Sequence, residues 1–262
     1  DELLAPHKEL IARITVCLSL PPGLHDRIVR PMLHRFAAYA NLIPGSESDH
    51  HCDPGGLLQH SLEAGFFGAQ QTDGMVFALD ETPERRRKIE PLWRFAAFVG
   101  GLVHDIGKAL ESVRVTSAAG DREWCPSACP LTNWLSQEGI EAFSMTWDPK
   151  RRHGSHEKYA AILCPVILGP DGIAHLESVP GAGVYTALLD ALSGAASAKN
   201  PLVGILRKAD SMSVESDFDA MKTRQSLQGG HKTMGHRLMR LAMLRIRPVS
   251  VQNGALWMND PK

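Results

Sequence analysis

Apolar and polar positions recur along most of this chain at the spacing of helices. Residues 6–20 place Leu10, Ile11, Ile14 and Leu18 on one face before Pro21-Pro22 stops the run. A second helix is predicted from about Leu24 to Ala40, through Ile28, Met32, Phe36 and Tyr39. The segment Asn41–Asp53 reads as a loop, with Pro44-Gly45 and the pair His50-His51. Pro54-Gly55-Gly56 then opens a third helix, Leu57 to about Gln71, with His60 and Glu63 on one face. Residues 92–110 are apolar on nearly every side, so a helix there belongs inside the protein. Beyond it the period changes. Val113–Thr116 alternates, Ala119-Gly120-Asp121 is a turn signal, and Arg122–Trp124 can return as a second short strand. Further helices are predicted at 131–137, 156–168, 184–192, 202–214 and 232–245, with Gly169-Pro170-Asp171-Gly172 as a break. The fold class is therefore mostly all-α, a helical bundle with a small β-hairpin after the central helix. Residues 1–220 form the helical domain and 221–262 a basic, helical C-terminal extension.

Composition changes this picture little, and charge changes it in one place. The chain has 262 residues, 44% of them apolar and 22% charged, with a formal net charge of −1. Between Met221 and Pro248, however, there are seven Lys/Arg and no Asp or Glu. Such an excess favours contact with phosphate, although a solvated basic helix gives the same pattern. Five cysteines at irregular spacing argue against a disulfide framework and for a reducing compartment. No apolar run approaches the roughly 20 residues a membrane helix needs, and the acidic start does not resemble a signal peptide. The expectation is a bacterial cytoplasmic protein without a membrane span.

Candidate chemistry sits on the most buried helices. The 92–110 segment carries the adjacent pair His104-Asp105 and, one turn on, Lys108. A carboxylate in such surroundings requires a partner or a metal. His60 lies upstream and Asp210 downstream, each among apolar neighbours: Leu57, Leu58 and Leu62 for the first, Leu206 and Ala209 for the second. A helical bundle can converge inward-pointing groups of this kind on one point. Two imidazoles and two carboxylates suit Mn²⁺, Fe²⁺, Mg²⁺ or Zn²⁺, as one ion or two. The separation of these residues in sequence excludes a zinc finger, whose ligands come in short local pairs. Taken singly, His60 reads as a hydrogen-bonded core histidine, and His50-His51 equally well as a polar loop or as a catalytic pair; the order of His60, His104-Asp105 and Asp210 makes the metal site the stronger reading. Cys125-x3-Cys129 has no second pair and carries no such weight.

The order His60, His104-Asp105, Asp210 resembles the HD superfamily of metal-dependent phosphohydrolases, and His-Asp-Ile-Gly-Lys at 104–108 is similar to that family's central motif. The resemblance implies an HD-type domain in which those four residues bind the first metal. It further implies that His156, with His153 or His175 as alternatives, serves a second ion or phosphate, and that Lys108 meets substrate phosphate. A narrower resemblance covers nearly the whole chain. Arg35–Tyr39, Leu42–Glu47, His50-His51, Pro54–Ala64, Trp93–Phe98, Trp134-Leu135, Arg152–Glu157 and Ala209–Val214 with Asp217 look like the N-terminal domain of MobH-class conjugative relaxases. That likeness implies nicking of one DNA strand at an origin of transfer, with other conjugation proteins as further partners and His51 among the catalytic histidines. Gly45 departs from the family's more usual Ala. A relaxase commonly attacks with a tyrosine; of Tyr39, Tyr159 and Tyr185 the first lies closest in sequence to the histidine loop, the second is one turn after His156, and the choice between them stays open. Two other readings stay open: an HD-type hydrolase of nucleotides or small phosphoesters, and a DNA-binding module in which the metal site is structural.

Overall fold

The computed structural model describes residues 2–48, 50–149, 157–195, 199–228, 249–252 and 255–258. A 3₁₀ turn, Glu2–His7, leads into α1 (Lys8–Leu18), which ends on Ser19 in the left-handed region. After Pro21, the short α2 (Pro22–Leu24) runs through one π turn (His25–Val29) into α3 (Arg30–Ala40). Next come α4 (Gly56–Gln71), α5 (Pro83–Val103), α6 (Lys108–Glu111), α7 (Leu131–Gln137), α8 (Glu157–Leu176), α9 (Val184–Ser193) and α10 (Pro201–Gln228). The mostly helical reading stands.

The strands refine that reading. β1 (Val113–Ser117) pairs antiparallel with β2 (Phe143–Trp147), Val113 opposite Trp147 and Ser117 opposite Phe143. The predicted returning segment Arg122–Trp124 makes only a bridge from Glu123 to Thr116. Two further strands, β3 (Val249–Gln252) and β4 (Ala255–Met258), extend the sheet in the order β1-β2-β4-β3. Strand therefore occurs in the stretch expected to be a helical extension; the expected helix 232–245 lies outside the described residues.

The core is built on α4 and α5, with α10 packed against both. The two helices approach closely because small residues line their crossing. A Cβ at Gly101 would stand 2.4 Å from the Ala64 carbonyl oxygen, and one at Gly68 2.7 Å from that of Ala97. Phe95, Phe98, Val99, Leu102 and Val103 on α5 and Leu57, Leu58 and Leu62 on α4 are fully buried around this crossing. At roughly 25 cal/mol per Å² of apolar surface, burial on this scale is the main force holding the helices together.

The central apolar segment does not run on as one helix to Leu110. α5 ends at Val103, and His104–Gly107 form a tight turn before α6. There the backbone switches to i→i+3 bonds, from Ile106 N to Val103 O and from Lys108 N to Asp105 O. The turn leaves His104 and Asp105 at the end of a rigid, buried rod.

Contrary to the expectation that no apolar run approaches the length of a membrane helix, one helical stretch, Lys158–Leu176, is long and apolar enough by length and composition to cross a membrane. Gly169 breaks it with φ 73°, ψ 170°. Arg35 accommodates the break, donating from Nε to the Ile167 carbonyl (2.7 Å) and from its terminal nitrogen to that of Leu168 (2.8 Å). Ala160, Cys164, Ile167 and Leu168 are buried, and α8 packs on α3, α5 and α9.

Candidate metal centre

Three elements deliver the four predicted ligands to one place. α4 carries His60 on its first turns, the turn after α5 carries His104 and Asp105, and α10 carries Asp210. His60 Nε2 stands 3.3 Å from His104 Nε2, 3.3 Å from Asp105 Oδ2 and 3.3 Å from Asp210 Oδ1. His104 Nε2 in turn is 3.6 Å from Asp105 Oδ2 and 3.7 Å from Asp210 Oδ1. Donor atoms that share one ion at about 2.1 Å stand roughly 3.0–3.4 Å apart. The three His60 distances, each 3.3 Å, fall within that spacing, and the two His104 distances, 3.6 and 3.7 Å, lie slightly beyond it. Among the described residues, His60, His104 and Asp210 offer ligand atoms that all lie within 4.8 Å of one another.

The chemistry of the rings fits a cation as well. His104 Nδ1 donates to the Gly101 carbonyl oxygen (2.8 Å), leaving Nε2 as the inward lone pair. His60 Nδ1 is engaged by Ser213 Oγ at 3.0 Å. Two imidazole lone pairs facing each other beside two carboxylates require positive charge between them. Without a metal, that charge is a proton. Burial alone would depress the His60 pKa, but hydrogen bonds to Asp105 and Asp210 outweigh it and push it up to about 9. Asp210 is held well below the usual carboxylate range: burial opposes ionisation, and the neighbouring imidazoles of His104 and His60, at 3.7 and 3.3 Å, outweigh it.

Lys108 closes one rim. Its Nζ donates to Asp105 Oδ2 (2.6 Å) and to the Gly45 carbonyl oxygen (2.9 Å). That second bond ties the histidine loop to the cage. The loop is compact: Gly45 N donates to the His51 carbonyl (2.8 Å), and a Cβ at Gly56 would stand 1.8 Å from that same oxygen. His51, with φ 48°, is buried between α4 and α10. Its ring centroid lies 5.2 Å from that of His60, which is itself 5.2 Å from His104; His50 lies 5.7 Å from His60. Burial, followed by the charge of His60, lowers the His51 pKa to about 4, and burial also lowers that of His50.

Sequence reasoning left several members of this cluster without a role. Ser213 and Asp217 follow Asp210 by three and seven residues and so lie on its face of α10; Glu63 follows His60 by three on α4. Asp217 Oδ2 accepts from His51 N at 2.7 Å, while Glu63 Oε2 accepts from Ser213 Oγ at 2.9 Å. Burial raises the Glu63 pKa. Polar residues at helical spacing beyond the ligands were the available signal.

Other predicted positions lie elsewhere. Tyr39, offered as a nucleophile, is a core residue of α3; burial, followed by the charge of Cys129, raises its pKa. Among the described residues no tyrosine side chain contacts the cage: Tyr159 stacks under Lys158, and Tyr185 is half-buried on α9. His175 packs edge-on against Phe95, whose ring centroid is 5.3 Å away. His153 and His156 fall outside the described residues.

The family model TraI_2, described as "Putative helicase", matches residues 1–261. The chain belongs to the TraI_2 family. The match extends over the cage, the histidine loop and all the helices that position them. No curated protein matches the chain. Within this TraI_2 chain the single Gly-Lys pair is Gly107-Lys108, followed by Ala109, and it stands at the cage. The sequence thus contains no G-x-x-x-x-G-K-[ST] phosphate loop of the kind that nucleotide-driven motors use.

Proposed function

We propose that this chain is a divalent-metal phosphodiesterase or transesterase domain of HD type, nicking DNA as a relaxase in the conjugative transfer of a plasmid or integrative element. The observation that carries the proposal is the cage: two imidazoles with fixed outer partners, two carboxylates, and a lysine at the rim. A divalent ion held there would supply Lewis acidity toward phosphoryl oxygens and make water more acidic. His60, His104, Asp105 and Asp210 would hold it. Lys108 would orient Asp105 and offer a remaining N–H to a phosphate oxygen. His51, fixed between Ser213 and Asp217, would order the histidine loop beside the reacting phosphate, and His156 stays a candidate for a second ion.

DNA as the substrate is supported by the relaxase resemblance, by the helicase description of the family, and by the basic stretch 221–248. The missing phosphate loop favours nicking over translocation for this part of the chain. The partner would be a single strand at an origin of transfer, together with other conjugation proteins in the bacterial cytoplasm. With no tyrosine at the cage, water is favoured over Tyr39 as the attacking group. That placement also favours a second reading, hydrolysis of nucleotides or small phosphoesters at the same cage.

The test is cleavage of an origin-containing strand by purified protein with Mn²⁺. The nicking reading expects cleavage that disappears in Asp105→Ala and persists in Tyr39→Phe. Turnover of free nucleotides with intact DNA would favour the second reading. Absence of both activities with Mn²⁺, Fe²⁺, Mg²⁺ and Zn²⁺ would overturn the two together.

A further inference from the structure

Ser213 lies fully buried on α10, one turn past Asp210. Its Oγ stands 3.0 Å from His60 Nδ1, 3.2 Å from His51 Nε2 and 2.9 Å from Glu63 Oε2. A fourth neighbour, the His60 carbonyl oxygen, lies farther off at 3.4 Å. A serine hydroxyl has one hydrogen and two lone pairs, so with two acceptors competing for the hydrogen the nearer one, Glu63, takes it, and the two ring nitrogens must then be N–H donors. Both lone pairs then accept, one from each imidazole.

Surrounding atoms agree with that arrangement. His51 Nε2 also lies 3.3 Å from the Ser213 carbonyl oxygen and 3.6 Å from Glu63 Oε2. Both are acceptors, so this nitrogen carries a hydrogen. His51 Nδ1 is then the bare nitrogen; it is buried with no hydrogen-bond partner among the described residues, 3.9 Å from Asp217 Oδ1. On His60 the hydrogen sits on Nδ1, which frees Nε2 for the cage.

We propose that Ser213 is a positioning residue: its one hydroxyl, aimed by Glu63, fixes the tautomers of His60 and His51 together and holds His60 Nε2 toward the ion. Glu63 is itself held from its other side. Gln59 Nε2 donates to Glu63 Oε1, and Gln59 Oε1 accepts from His7 Nδ1 at 2.8 Å. This string of hydrogen bonds ends in a cleft of about 280 Å³ between α1 and α4, lined by His7, Arg13, Gln59, Glu63 and Phe66. Glu63 thus connects the cage to a surface more than one residue away from it. Outer partners of metal-bound imidazoles orient the ring and raise its basicity.

The effect on ion binding rests on the cage reading; the tautomer assignment does not. Mn²⁺ affinity by titration calorimetry in wild type, Ser213→Ala and Ser213→Thr tests the first. Loss of the hydroxyl should weaken binding by about 10- to 100-fold, and threonine, which keeps it, should restore most of the loss. Nitrogen-15 spectra of the imidazoles in the wild-type protein test the second: His51 should carry its one proton on Nε2, and His60 should keep a proton on Nδ1 whether Nε2 holds the ion or, without metal, a second proton. Wild-type affinity in a folded Ser213→Ala protein would overturn the positioning role, as would a proton on Nδ1 of His51. If wild type takes up no Mn²⁺, the cage reading fails while the spectra still decide the role of Ser213. If Ser213→Ala does not fold, the wild-type spectra decide it alone.

Discussion

Metal binding at the cage must compete with a proton, and the size of that competition follows from the structure. In the metal-free protein the carboxylates of Asp105 and Asp210 raise the His60 pKa to about 9. Nε2 cannot bind a proton and an ion together, so below that pH every binding event expels the proton. Two pH units below 9, at pH 7, the apparent affinity lies about 100-fold under its limiting value, a difference of about 3 kcal/mol at 1.36 kcal/mol per unit. Between pH 6.5 and 8.5 affinity should therefore rise about tenfold per unit. Calorimetric titration of Mn²⁺ under nitrogen, in buffers of different ionisation enthalpy, reads both quantities. It should show the tenfold slope and the release of about one proton per ion at pH 7 from this group. An affinity constant to within threefold across that range, with no proton released, would refute the reasoning, because His60 would then be neutral in the empty cage.

Three further outcomes follow from the same geometry. In metal-free protein His60 contributes stability that is full below its unfolded pKa of about 6.5 and is lost as pH rises through about 9, so thermal unfolding of the apo form should soften across that window and saturating Mn²⁺ should reverse the trend. His51 has the opposite sign: its folded pKa, lowered to about 4, makes the unfolded state bind more protons, so stability should fall as pH drops from 6.5 toward 4 in melts that His51→Gln flattens. Gly101→Ala puts a methyl 2.4 Å from the Ala64 carbonyl and should cost about 1–3 kcal/mol by denaturant unfolding, with weaker Mn²⁺ binding as α4 and α5 separate; an unchanged midpoint would contradict the close crossing.

Much of the cage was legible because its members lie on strongly patterned helices. His60 and Asp210 interrupt apolar faces at positions where only an inward orientation is consistent with the helical period. The bundle then has few ways to arrange α4, α5 and α10 except with those faces together. His104 and Asp105 were placed on a continuing helix, since no proline stops it before Lys108; the local shift to i→i+3 bonds leaves little trace in composition. Ser213 and Asp217 occupy the same stripe as Asp210, but serine and aspartate at helical spacing equally describe a solvated face, and only packing against His51 distinguishes the two. Phe143–Trp147 alternates apolar and polar residues as a strand should, yet the nearer Arg122–Trp124 segment competed for β1 in the sequence reading. Tyr39 was favoured by its distance along the chain, which carries no information on direction: its side chain belongs to the core of α3.

The proposed cation site draws its side chains from α4, the turn after α5, and α10. Crystals grown with Mn²⁺ and measured at a wavelength where manganese scatters anomalously test it most directly. An anomalous peak is expected about 2.0–2.3 Å from His60 Nε2, His104 Nε2 and a carboxylate oxygen of Asp210. A clean map at that position, with a peak elsewhere or none, would contradict it.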